Sequence, residues 1–172
     1  GKTTVLCKDT PAFIANRVGV FGIMSLFHLV EKMELTVEEM DKLTGPVLGR
    51  PKSATFRTCD VVGLDTLVHV ANGLAQGLPN DEAKKLFKLP SYVEKMNESK
   101  WFGDKTGQGF YKKVKSAEGK SEIQALDLKT LEYKPSQKVK FATLELTKPI
   151  ENLKDRLKVL IAGKDKAGDF YR

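Results

Sequence analysis

The sequence predicts a mainly α-helical bundle, and three observations indicate this fold class. Helix-start and helix-stop residues alternate along residues 1–100 with only short turns between them. One long segment in that range is apolar on nearly every side, which is typical of a helix inside a bundle or a subunit interface. Strand-like patterns are brief and lie mostly after residue 101. The 172 residues are enough for one domain with an appendage.

The first predicted elements are a short strand and the long apolar helix. Residues 3–7 are β-branched and apolar, and they predict the strand. Thr10 can cap the free amides of a helix whose first position is Pro11, and this helix extends to about Lys32. Because its apolar residues face nearly every direction, we expect the helix to lie inside a bundle or at a subunit interface.

Two more helix starts follow the long helix. Thr36 and Glu39 have the spacing of a capping box, and the helix that they open ends near Gly45. We expect Ser53 to cap a third helix, which ends at Gly63. These boundaries leave only short turns between helices, as a bundle requires.

The bundle pattern continues to about residue 100. Asp65 is the predicted cap of a fourth helix that ends at Gly77. Residues 81–88 and 91–99 predict two shorter helices, which Pro90 separates. Up to this point the sequence predicts an all-α arrangement.

The pattern of residues changes after Trp101, from helix-forming segments to turns and short strands. Glycines make residues 101–109 rich in turns, and residues 122–127 and 131–134 predict a small β-hairpin. An amphipathic helix is predicted over residues 150–162, and a glycine closes it. The remaining residues have the character of a linker or of the beginning of a further element that is cut off.

Composition and charge argue against several classes of protein. The only two cysteines, Cys7 and Cys59, form no CxxC pair, and with only two histidines no metal site is expected. The net charge of +7 is spread along the chain, which indicates a lysine-rich surface with room for an anionic ligand such as a nucleotide. The most apolar stretch is interrupted by polar residues, so we expect no membrane span.

Motifs for cofactor chemistry are missing from the sequence. No GxGxxG follows a predicted strand, and no P-loop or HExxH occurs. His28 and His69 have apolar neighbours, so we expect them to be core or interface residues, without the carboxylate that a general base needs. Cys7 and Cys59 are interpreted as small buried hydrophobic residues.

Asn16 is the exceptional polar residue of the long apolar helix. Its amide could tie the helix to a neighbouring loop, since a buried amide must find partners. Alternatively, it could point into a cleft and hydrogen-bond a substrate oxygen, helped by the positive end of the helix. The residues by themselves leave both interpretations open.

Three blocks together resemble a known family. Residues 8–17 (KDTPAFIANR), 60–66 (DVVGLDT) and 104–112 (DKTGQGFYK) are similar, in order and spacing, to blocks of the C-terminal domain of 3-hydroxyacyl-CoA dehydrogenases. Residues 49–66 resemble more closely the long multidomain enzymes in which the dehydrogenase is fused to enoyl-CoA hydratase. The tail also resembles the connection to a second helical domain in those enzymes.

The resemblance implies a fold and a division of the chain. The fold is a helical bundle of the 6-phosphogluconate dehydrogenase C-terminal-like type, followed by a small β-hairpin and one further helix. Residues 1–113 are expected to form the helical domain. Residues 114–172 are expected to be an extension, with its helix at 150–162, that leads toward a following domain that is cut off.

The resemblance also implies a function. Members of this family oxidise 3-hydroxyacyl-CoA to 3-oxoacyl-CoA in β-oxidation and pass hydride to NAD. The NAD-binding Rossmann domain and the catalytic His–Glu pair are expected upstream, outside this chain, so the chain should be inactive alone. The family asparagine near the thioester and 3-oxygen corresponds to Asn16, and Phe13 is expected beside the substrate. We further expect a cytoplasmic homodimer.

Two other functions remain as alternatives. One is a helical assembly module with no direct ligand contact. The other is a nucleic-acid-binding domain, which rests only on the net charge and lacks a visible recognition helix. Arg17, Lys52 and Arg57 could meet the phosphates of CoA, or could serve as solvated surface or helix-end residues.

Overall fold

The computed structural model describes residues 1–115 and 119–172, and the mainly α-helical fold class is confirmed in them. Within these ranges no helix is long and apolar enough to cross a membrane. Short 3₁₀ helices occupy Pro46–Leu48, Lys84–Phe87 and Asp104–Thr106. The helices and strands are α1 (Ala15–Lys32), α2 (Val37–Thr44), α3 (Phe56–Val62), α4 (Leu64–Gly77), α5 (Ser91–Glu98), β1 (Tyr111–Lys115), β2 (Ser121–Leu126), β3 (Tyr133–Pro135), α6 (Ala142–Thr147), α7 (Leu153–Ala162) and α8 (Lys166–Tyr171).

The predicted N-terminal elements are wrong in two respects. Residues 3–7 are exposed and form no strand, since no neighbouring strand pairs with them. The segment before α1 is a turn in which Ala12 (φ +62°) and Phe13 (φ +51°) are left-handed. Left-handed residues cannot continue a right-handed helix, so α1 begins at Ala15 and Thr10 does not cap it.

A cluster of four aromatic rings forms the centre of the core. The Phe27 and Phe56 rings stack with centroids 5.3 Å apart, and the Phe56 and Phe110 centroids are 4.4 Å apart. The fourth ring, Tyr92, lies 6.0 Å from Phe27 and donates its hydroxyl to the Phe27 carbonyl at 3.1 Å. These side chains are at most 2% exposed. They come from α1, α3, α5 and the segment before β1, so one cluster joins most of the bundle.

Among the predicted N-caps, only the capping box of α2 is confirmed. The Thr36 hydroxyl accepts from the Glu39 amide at 3.2 Å, and the Glu39 carboxylate accepts from the Thr36 amide at 2.9 Å. Ser53 does not cap α3. Asp65 does not cap α4, because Gly63 occupies that position with φ +101° and places Asp65 inside the first turn.

The cap of α3 comes instead from Asp41, on α2. One carboxylate oxygen accepts from the amides of Thr55 at 3.0 Å and Phe56 at 2.6 Å. The other accepts from the Arg57 amide at 3.0 Å and from the Tyr111 hydroxyl at 2.9 Å. A distant acidic side chain thus satisfies the amides that a helix leaves free at its start.

A buried carboxylate, Asp60, connects α3 to the glycine-rich segment before β1. It is 1% exposed and accepts from the backbone amides of Phe110 and Tyr111, each at 2.8 Å. The approach depends on glycines: a Cβ on Gly103 would lie 2.2 Å from the Asp60 carbonyl oxygen, and one on Gly109 would lie 2.1 Å from its carboxylate.

The C-terminal extension contains more structure than predicted. The predicted hairpin is confirmed as the antiparallel pair β2–β3, and β1 adds a third antiparallel strand. The helix predicted over 150–162 is confirmed as α7, closed by Gly163, whereas α6 and α8 were not expected. The residues predicted to be a helix at 81–88 form only the shorter 3₁₀ helix.

The extension packs against the bundle. The Tyr171 hydroxyl donates to the Leu43 carbonyl at 2.6 Å, and the Lys166 ammonium contacts the Glu39 carboxylate at 3.0 Å. Leu144 and Leu160 belong to the same buried apolar cluster as the aromatic rings of the bundle. The hydrophobic contact is therefore continuous from α1 to α8.

We expect Gly103→Ala to lower the free energy of unfolding by about 2–4 kcal/mol, because the new methyl group meets the Asp60 backbone at a left-handed position. Urea denaturation followed by circular dichroism measures the change. Gly73→Ala is the control: nothing lies within 4 Å of its added Cβ, and this helical site should gain about 0.5–1 kcal/mol. Equal stability of the two variants would contradict the role assigned to Gly103.

Candidate functional site

Asn16 lies in the first turn of α1, at a groove of about 210 Å³ between α1, α3 and α4. Thr58 and Val62 of α3 and Thr66 and Val70 of α4 line the same groove. The Asn16 side chain is exposed and makes no hydrogen bond to the described part of the chain. The amide therefore does not tie the helix to a loop, and it is available to a ligand in the groove.

Phe13 lies in the turn that precedes α1 and is 58% exposed. Ile14, Val18 and Phe21 follow it on α1 and are 49%, 65% and 41% exposed. We call these four residues the apolar strip. The described residues leave this strip open, so the rest of the described chain does not cover this side of α1, and its cover by a partner subunit stays a prediction. Neighbouring exposed apolar side chains on one helix mark a contact surface.

The two arginines considered for CoA phosphates are paired within the protein. Arg17 forms an ion pair with Asp81, which holds α1 to the loop after α4. The Ala83 amide and the Arg17 guanidinium together keep the pKa of Asp81 below its usual range. The two terminal nitrogens of the Arg57 guanidinium donate to the two carboxylate oxygens of Asp104, at 2.6 and 2.8 Å. Both guanidinium groups therefore stabilise contacts within the chain.

The histidines and cysteines do not form a catalytic or metal centre. His28 contacts the Leu86 carbonyl at 3.1 Å, which confirms it as a satisfied structural residue, whereas His69 is exposed. Cys59 is buried beside the groove, and burial raises the pKa of its thiol. Cys7 is exposed, so its predicted burial is wrong. Across residues 1–115 and 119–172 no group of three potential ligands could hold a metal ion.

The described residues do not fit NAD. A dinucleotide site of the Rossmann type lies at the carboxyl ends of parallel strands, beside a glycine-rich loop that opens a helix. The sheet in the described ranges is antiparallel, in the order β1-β2-β3. The glycines before β1 make room for Asp60, and the segment that contains them leads into a strand and not into a helix.

The geometry defines a helical domain that offers an amide beside an apolar groove and has no dinucleotide fold among its described residues. The model of the family "3-hydroxyacyl-CoA dehydrogenase, C-terminal domain" matches residues 13–113. The chain belongs to this family.

Three similar proteins illustrate the relationship. A probable 3-hydroxyacyl-CoA dehydrogenase of Bacillus subtilis is 48% identical over 168 residues, which are 98% of this chain and 20% of the relative. A Rickettsia prowazekii protein, named for a fatty acid oxidation complex trifunctional enzyme, is 32% identical over 81% of this chain and 19% of its own length. The crystal structure of M. tuberculosis FadB2 matches with a TM-score of 0.58 and 31% identity, over 66% of this chain and 38% of that one.

The similarity extends beyond the family model into the C-terminal extension. The chain spans about one fifth of the Bacillus and Rickettsia relatives, and the Bacillus match covers nearly all of it. The resemblance to long multidomain enzymes agrees with this pattern.

The two buried carboxylates that organise α3, Asp60 and Asp41, both have raised pKa values. Burial raises the pKa of Asp60 to about 6, although the Phe110 and Tyr111 amides act in the opposite direction. Burial also raises the pKa of Asp41, against the pull of four hydrogen-bond donors. Both carboxylates hold the frame that supports the groove, and neither lines the groove itself.

We expect the contribution of Asp60 to the free energy of unfolding to fall as the pH rises from about 4 to about 6. A carboxyl group whose pKa is higher in the folded state stabilises the fold below its unfolded pKa, and loses that contribution as the pH passes its folded pKa. For Asp60 the change is roughly 2–3 kcal/mol. Urea denaturation at several pH values measures it.

The Asp60→Asn variant should lack this contribution, so its free energy of unfolding should rise relative to that of the wild type between pH 4 and pH 6. Asp9→Asn, in the exposed N-terminal segment, is the matched control and should keep the pH dependence of the wild type. An unchanged pH dependence in Asp60→Asn would show that another group causes the effect.

Proposed function

We propose that this chain is the substrate-binding and dimerisation domain of an NAD-dependent 3-hydroxyacyl-CoA dehydrogenase, which oxidises 3-hydroxyacyl-CoA to 3-oxoacyl-CoA in the β-oxidation of fatty acids in the cytoplasm. Residues 1–113 form the helical domain, and residues 114–172 are the extension toward a following domain. The NAD domain and the catalytic His–Glu pair lie in a part of the enzyme outside this chain. The chain alone is therefore inactive.

The observation that carries this proposal is the free amide of Asn16 at the apolar groove. The names of the relatives support the reaction: the Bacillus protein is named as a dehydrogenase of 3-hydroxyacyl-CoA, and the Rickettsia protein is named for fatty acid oxidation. An acyl chain is apolar and a thioester carries a carbonyl oxygen, so a groove with apolar walls and one amide suits both parts of such a substrate.

The role of Asn16 in the reaction is positional. Its amide N–H group donates a hydrogen bond to the oxygen of the substrate, which gains negative charge when a base removes the hydroxyl proton. The start of α1 has no side-chain cap, so its free amides add a positive potential near this oxygen. NAD supplies the hydride acceptor. An acyl chain bound in the groove would displace water from around the amide, which strengthens the hydrogen bond.

The apolar strip supports the dimerisation role. Phe13, Ile14, Val18 and Phe21 expose large apolar side chains on one side of α1, and their burial against a second copy would remove this surface from water. Phe13 is exposed three residues before Asn16 and does not line the groove, so it would contact a part of the substrate that extends beyond the groove. The alternative function, an assembly module without ligand contact, would use the strip but not Asn16.

We expect Asn16→Ala in the full-length enzyme to lower kcat by about 10²–10³, because one aligned hydrogen bond to the developing negative charge is lost. Reduction of acetoacetyl-CoA with NADH measures the rate, and the isolated 172-residue chain provides the inactive baseline. Circular dichroism should show unchanged helix content.

Asn72→Ala is the matched control for this variant. Asn72 is an exposed asparagine on α4 outside the groove, so its removal should leave kcat unchanged. Unchanged kinetics in Asn16→Ala would favour the assembly module. A loss of helix content would make Asn16 a structural residue.

We expect Phe21→Glu to convert the dimer into a monomer, because the buried charge would have no partner in the interface. Sedimentation velocity measures the mass of the particle. The control is Leu146→Glu on α6, which places the same charge at a leucine that is 66% exposed and lies outside the strip. A wild-type chain that is monomeric, or a Phe21→Glu variant that stays dimeric, would contradict this interface.

A further inference from the structure

A second cavity, of about 780 Å³, lies between the bundle and the C-terminal extension. Its walls are α2, the 3₁₀ helix Pro46–Leu48 and residues of the segment 136–148, and it shares no lining residue with the Asn16 groove. Six basic residues line it, and we call this cavity the basic cleft. They are Lys42, Lys52, Lys138, Lys140, Lys148 and Arg156.

The positive charge of the basic cleft exceeds its negative charge. Three acidic residues line it, and two of them serve the structure: Glu38 accepts from the Gln137 amide at 3.1 Å, and Asp41 caps α3. Glu145 pairs with a single lysine, Lys148. Four lysines make no ion pair within the described part of the chain: Lys42, Lys52, Lys138 and Lys140.

Three of the lysines converge on Glu145. Lys148 contacts the Glu145 carboxylate, and Lys140 and Lys42 also act on it, so that the pKa of Glu145 lies below its usual range. One carboxylate therefore lies within the electrostatic reach of three ammonium groups, which come from α2, from the segment before α6 and from the residue after α6. A concave wall with an excess of one charge concentrates the potential and attracts counter-ions.

Hydrogen bonds hold the walls of the cleft in place, and one side of it is apolar. The Gln137 amide is fixed to α2 through Glu38, and Arg156 of α7 donates to the Pro46 carbonyl at 3.2 Å. Val47, Val139 and Leu144 line the cleft and pack against the core. The cleft thus presents cations beside an apolar surface that the fold has already ordered.

We propose that the basic cleft binds a nucleoside phosphate with two or more phosphate groups. Several unpaired lysines suit a ligand with several negative charges, and the wall of Val47 and Val139 suits its flat ring. The cavity volume lies in the range of small-molecule sites. Duplex DNA fits less well, because the lysines converge within a cavity and do not follow an extended face. A free nucleotide and the nucleotide part of CoA share this chemistry.

Isothermal titration calorimetry of the whole 172-residue chain with ADP, CoA and inorganic pyrophosphate tests this site. ADP should bind more tightly than pyrophosphate, because only ADP carries a ring. In Lys138→Ala/Lys140→Ala, the Kd for ADP should rise by about tenfold or more, as expected when charge-assisted contacts to phosphate are lost. The matched control is Lys84→Ala/Lys85→Ala, which removes two exposed neighbouring lysines outside the cleft and should keep the wild-type Kd.

Comparison of CoA with ADP identifies the source of the ligand. CoA that binds at least as tightly as ADP assigns the cleft to the nucleotide part of CoA, and ADP binding without CoA binding assigns it to a free nucleotide. Both results support the site. The proposal would be overturned if neither ADP nor CoA gave a binding heat, or if both lysine double variants lost ADP affinity equally. It would also be overturned if duplex DNA bound more tightly than ADP. Asn16→Ala should leave ADP binding intact, so this proposal stands or falls separately from the proposed function.

Discussion

The buried carboxylate of Asp60 is the constraint on which the rest of the structure depends. Its two oxygens accept from consecutive amides, those of Phe110 and Tyr111, and this contact turns the chain from the bundle into β1. The contact exists only because Gly103 and Gly109 leave room for the carboxylate and its backbone. It directs Phe110 into the aromatic cluster and places the sheet, and so the whole extension, against α2.

Helix α3 connects the two candidate binding regions. Thr58 and Val62 face the Asn16 groove, whereas the amides at the start of α3 are held by Asp41, which lines the basic cleft. A short helix held at its start by Asp41 and near its end by Asp60 has little freedom to shift. The groove and the basic cleft share no lining residue, and Asp41 links them because it lines the cleft and caps the helix that lines the groove.

Interactions between neighbouring residues are predictable from this sequence, whereas those between distant segments are not. The capping box of Thr36 and Glu39 involves residues three positions apart, and it formed as predicted. Ser53 does not cap α3, because the carboxylate of Asp41, on another helix, accepts from the amides at the start of α3. Lys42 and Lys140 looked like scattered surface charge, since no pattern in the sequence indicates that the extension brings them to one cavity. The signature block that contains Asn16 was the only signal for the groove.

The sequence by itself determined the helical class, the segments that form α2 to α5 and α7, the family and the position of Asn16, because periodicity and signature blocks are read from neighbouring residues. Only the tertiary structure decided that α1 begins after a left-handed turn and that the apolar strip stays open in the described chain. It also decided that Asn16 has no partner there and that distant lysines form a cleft. These features depend on contacts between segments far apart in the chain, and no local pattern specifies such contacts.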